Sequence, residues 1–181
     1  MQLPRKNIRF RRRHAMQTCQ WVVAMLALSL LMSPALADET PEGRAGRLLK
    51  VGLALAERTC YLEALDHLNE AAQLLDEAGR QNTRIYADVL LAIAETKTKG
   101  RIHQSFPSAY IKAALKDVQA ANKLRERLQD IPRQQLAQGY YLEGVIHKRF
   151  FLRDEQAREC FRKAVEVDPG FAPAKRELSD L

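Results

Sequence analysis

Tyr140-Tyr141-Leu142-Glu143-Gly144-Val145-Ile146-His147, then Ala157-Arg158-Glu159-Cys160-Phe161, then Ala164 and Pro169, is the stretch whose reading decides the fold. Its apolar and small residues recur at helical spacing, with a short polar turn between the two runs. Two amphipathic helices follow, crossing closely where Gly144 meets Ala157. Phe161 fills the space beside that crossing, and Pro169 stops the second helix.

An earlier stretch repeats the pattern. Leu48-x-x-Val51-Gly52-x-x-Leu55 is followed by Ala64-x-x-x-Leu68 and Ala71. From Gly52 to Ala64 is 12 residues and from Gly144 to Ala157 is 13, while the two alanines are seven apart in both copies. Asp76 stands where the later copy has proline. Between the copies lies a less regular pair. Asn82 is placed to cap a helix to about Thr98, and Lys97 to Phe106 reads as a polar, basic connection around Gly100. Pro107 opens a helix through about Gln129, in which Ala114, Val118 and Ala121 keep the second-helix spacing. Asp130-Ile131-Pro132 starts the next. No glycine marks a crossing within Tyr86 to Ala94, so the register of that helix stays open.

At the start of this region, Thr40-Pro41-Glu42 predicts a helix to about Arg58, followed by one over Tyr61–Glu77 that Gly79 ends. At the other end, Ala174 to Leu181 fits a terminal capping helix. No alternating run suggests a strand. The fold class is all-α: helix-turn-helix pairs in about three irregular repeats, plus a capping helix.

The two regular stretches resemble the tetratricopeptide repeat, whose pattern is W-x2-L-G-x2-Y, then A-x3-F, then P. Tyr140 takes the place of the tryptophan, while Glu143 and His147 depart from the leucine and tyrosine. Alanine-to-alanine spacings of 50 (Ala64 to Ala114) and 43 (Ala114 to Ala157) exceed the family's period. The resemblance implies a scaffold that holds a polypeptide against the first helix of each repeat. Carried across, the groove positions are Leu49 and Leu53 in the first copy and Tyr141, Val145 and Lys148 in the last. The family's peptide-carboxylate clamp uses lysine and asparagine, and this chain departs from it. Its apolar groove with a basic end suits a hydrophobic peptide or helix. The alternative is that these faces pack against another helix of the same chain. On this reading Tyr141→Ala would leave stability nearly unchanged, whereas Phe161→Ala would not.

The chain has 181 residues and a formal charge of +7, which invites a nucleic-acid reading. Six of the 29 Lys and Arg lie in the first 37 residues, which hold no acid, leaving 23 against 22 acids beyond them. The basicity belongs to the N-terminus, and no nucleic-acid partner is expected. That N-terminus has the parts of an export signal: a basic start, an apolar run from Trp21 to Met32, and Ala35-Leu36-Ala37 before Asp38. Cleavage after Ala37 gives a signal peptide over 1–37, a helical domain over 38–181, and a periplasmic or secreted protein. The apolar run is shorter than the roughly 20 residues of a membrane span, so no stable span is expected after cleavage. An uncleaved anchor is the alternative. Arg12-Arg13 lacks the Phe-Leu of a twin-arginine signal, and Cys19 precedes the apolar run, so it cannot begin a lipoprotein.

No pattern for catalysis stands out. There is no G-x-S-x-G and no phosphate-binding glycine loop. Glu63 with His67, and Glu143 with His147, are each four apart on a helix face, but no neighbouring residue completes a ligand set. No catalytic, cofactor-binding or metal-binding residue is therefore expected, and no enzyme. Cys60 and Cys160 lie in copies separated by another, so no bridge between them is expected. The basic groups Lys97, Lys99, Arg101 and His103, and Lys148, Arg149 and Arg153, read as solvated surface or as contacts for an acidic partner. The leading expectation is an exported adaptor serving an envelope assembly, secretion or cofactor-insertion system. A small helical enzyme or cofactor carrier, or a structural subunit assembling through its long helices, are the alternatives.

Overall fold

A computed structural model describes residues 40–181. The segment expected to be an export signal, with the expected cleavage after Ala37, and Cys19 lie outside the described residues. Within them, seven α-helices and one π-helical turn follow in order: α1 Pro41–Glu57, α2 Tyr61–Glu77, α3 Arg84–Gln104, α4 Ser108–Arg127, α5 Arg133–Ile146, the π turn His147–Phe151, α6 Asp154–Val167 and α7 Ala172–Ser179. The described residues contain no strand. No described helix is long and apolar enough to cross a membrane.

The helices pack as antiparallel pairs, α1 with α2, α3 with α4 and α5 with α6, each pair leaning on the next, and α7 closes the end. Both glycine crossings form. A Cβ built on Gly52 would lie 2.6 Å from Leu68 Cγ, and one on Gly144 would lie 2.5 Å from Phe161 Cε1. Only a residue without a side chain allows this approach, and Leu68 and Phe161 are fully buried in the space it leaves. In the middle pair, Ala94 shares a buried cluster with Ala114, Val118 and Ala121.

The helix ends follow local chemistry. Gly79 takes φ 66°, and the N–H groups of Gly79 and Arg80 donate to the Asp76 and Leu75 carbonyls. Thr59 makes the same left-handed stop after α1 without being glycine. The largest departure from the sequence reading is α3, capped by the Thr83 hydroxyl and continuing through Gly100 to Gln104. The expected connection over Lys97 to Phe106 is therefore mostly helix. Gly100 survives inside it because the Phe106 ring covers it, 2.5 Å from where a Cβ would stand. The polar residues that suggested a loop have local partners. Thr96 and Thr98 donate to the Ala92 and Ala94 carbonyls at 2.7 Å, and Arg101 donates to the Phe106 carbonyl at 2.7 Å.

Candidate functional site

The first helices of the three pairs, α1, α3 and α5, form one side of the array. On α3, Asp88, Leu91, Glu95, Thr98 and Ile102 are three or four residues apart and so share a face. On α5, Gln135, Gln138, Leu142 and Val145 do the same, with Arg149 continuing in the π turn. These faces enclose two hollows of about 210 and 230 Å³. Leu49 and Leu53 of α1 wall one, Tyr141 and Val145 of α5 wall the other, and Glu95 and Gln138 line both. The hollows therefore adjoin along one side of the array.

The groove floor is polar where the pairs meet. Arg125 of α4 is 4% exposed, pairs through Nη2 with Asp88 of α3, and donates through Nη1 to the Gln135 carbonyl of α5 at 2.8 Å. Its Nε has no hydrogen-bond partner. One guanidinium thus ties three helices together under the groove, as its planar fork permits. The rim is partly apolar, with Leu53 39% and Ile102 45% exposed. Lys99 and Arg149 supply positive charge at the α5 end, Lys99 being paired with Glu95 at 2.7 Å.

Four of the five expected groove residues line these hollows, and they do so differently. Leu53 is exposed and Leu49 half-buried, whereas Val145 is a buried floor residue. The Tyr141 ring also lies 5.8 Å from Phe161 and 5.7 Å from Phe171, so its other side belongs to the core and to α7. The expectation that Tyr141→Ala would spare stability does not survive these contacts. Lys148 lies outside both hollows. Its ammonium pairs with Glu177 of α7 at 2.8 Å, which fastens the capping helix. The basic end of the groove is carried by Arg149 and Lys99. Ile102 was not anticipated, because reading Lys97 to Phe106 as a connection broke the spacing that joins Leu91 to Ile102; Glu95, Thr98 and Gln138 are polar and add nothing to an apolar stripe.

The opposite face of α5 holds a second cluster. Glu143, His147 of the π turn and Cys160 of α6 each present one potential ligand atom, all within 4.8 Å of one another. His147 and Cys160 are buried, at 6% and 8% exposed. The Glu143 carboxylate accepts from Gln119 Nε2 at 3.0 Å and from Asn122 Nδ2 at 2.9 Å. His147 Nδ1 has no partner. Burial lowers the His147 pKa, opposed by the Glu143 charge, while burial and Glu143 push the Cys160 thiol up to about 12. Cys160 is a free thiol, so no Cys60–Cys160 bridge exists. A catalytic nucleophile needs access and a depressed pKa, and Cys160 has neither.

No protein-family model matches this chain, and no curated protein matches it. Among solved structures, the crystal structure of BtubC (BKLC) from P. vanneervenii is similar over 88% of this chain and 77% of that chain, at 13% identity and a TM-score of 0.37. A likeness this distant carries no argument about function.

Proposed function

We propose that this chain is an exported scaffold that holds a polypeptide with apolar side chains in the groove of α1, α3 and α5. The observation that supports this reading is that two adjoining hollows, sharing Glu95 and Gln138 as lining, run along the first helices. Each hollow is smaller than the roughly 300–1,000 Å³ of a small-molecule pocket, but together they suit successive side chains of a bound segment. Exposed Leu53 and Ile102 supply apolar contact, and Lys99 with Arg149 favours an acidic residue near one end of the ligand. Repeat pairs of the tetratricopeptide type, which these pairs resemble, use this side for peptides, and an export signal over residues 1–37 would put such a partner in the envelope or outside the cell.

The test compares wild type with Leu53→Asp and Ile102→Asp in capture from envelope extract, beside thermal unfolding. Both positions are exposed, so both variants should melt with the wild type. A partner that binds wild type and is lost from both variants supports the groove. Equal capture by all three, or no specific capture by wild type, would remove it.

A further inference from the structure

We infer that Glu143, His147 and Cys160 form a binding site for a zinc-class divalent transition-metal ion, separate from the groove. Each residue type is a zinc ligand, and thiolate with imidazole favours such ions over magnesium or calcium. In a four-coordinate zinc site the ligand atoms stand about 3.3–3.8 Å apart. The three atoms here lie within 4.8 Å, so small side-chain rotations close the set.

Three further observations point to an ion and not to ordinary packing. His147 Nδ1 is buried and lacks a hydrogen bond, a state that costs free energy when nothing uses the nitrogen. The Glu143 carboxylate is already oriented by two amides from α4, as carboxylates that bind metals commonly are. The backbone changes to π-helical spacing at His147, a local distortion often found at functional sites. Charge is also balanced. A divalent ion with one thiolate and one carboxylate is neutral, which suits a buried position. The ion replaces the Cys160 proton, which leaves to solvent, and water takes the fourth position.

The ion would join α5, the π turn and α6 beside the Gly144–Phe161 crossing. On α5, Glu143 points away from Tyr141 and Val145, because two residues of helix turn the direction by about 200°. The site therefore fixes the helix that walls the groove without occupying the groove.

Cobalt(II) titration of the metal-free protein tests this directly, with zinc as competitor. Wild type should bind one cobalt per chain with a sulfur-to-cobalt charge-transfer band that zinc abolishes. Cys160→Ser should lose the band, and zinc should raise the melting temperature of wild type but not of this variant. Absence of the band in wild type, or an undiminished band in Cys160→Ser, would overturn the proposal. Should Cys160→Ser fail to fold, His147→Gln and Glu143→Gln serve, with circular dichroism checking their folds. Unchanged affinity in a folded variant of either kind counts against the site. The surface change Gln119→Ala keeps all three ligands, so it should retain the band and weaken affinity by about 10-fold. Unaltered affinity there would overturn the positioning role given to Gln119, and Glu143→Gln then decides whether the carboxylate is a ligand.

Discussion

Phe161 shows what a single residue contributes. It is fully buried, faces Gly144, and stacks at an angle with Tyr141. Phe161→Ala should cost about 3–5 kcal/mol in denaturant unfolding, as truncating a buried aromatic does. Gly144→Ala attacks the same contact from the other side. Its Cβ would meet the ring at 2.5 Å, so overpacking should cost about 1–3 kcal/mol. A Gly144→Ala protein as stable as wild type would mean the crossing is looser than described. Tyr141→Ala removes a half-buried ring that touches two others, and a loss of about 1–3 kcal/mol is expected. Partner capture by that variant therefore has to be read beside its melting curve.

At the scale of the element, helix ends decide where the pairs turn. Leu152 ends the π turn at φ 52° with its side chain 83% exposed. A left-handed residue with a side chain costs about 1–2 kcal/mol, part of which glycine gives back through its greater freedom when unfolded. Leu152→Gly should therefore raise stability by up to about 1 kcal/mol, measured as a higher melting temperature. A lower one would show that the Leu152 side chain has a role its exposure does not suggest. The same reasoning explains α3. Gly100 ordinarily weakens a helix by about 1 kcal/mol, yet here it sits under Phe106 and the helix continues for another turn.

For the whole molecule, stability depends on each pair covering the next, and the last pair has only α7. Phe171, Leu178 and fully buried Ala174 lie over the Phe161 cluster, and Glu177 holds Lys148. Ending the chain after Asp168 should expose that cluster, lower the melting temperature and promote aggregation. An unchanged melting curve would mean that α7 is an appendage and not a cap.

The sequence by itself determined the helix pairs and the two regular crossings. Gly52 with Leu68 and Gly144 with Phe161 are local in spacing, and close packing at such points tolerates few residue types. It also picked out Leu49, Leu53, Tyr141 and Val145, which line the two hollows, because a face at helical spacing is a one-dimensional pattern. What only the tertiary structure decided depends on residues distant in the chain. Phe106 folding back over Gly100 turned an expected loop into helix, and so joined Leu91 to Ile102 as one groove wall. Glu177 of α7 drew Lys148 away from the groove. Cys160 reached Glu143 and His147 across a helix pair, which no local ligand spacing announces. Periodicity reports which way a side chain leaves its own helix; what it meets there depends on how that helix packs against the others.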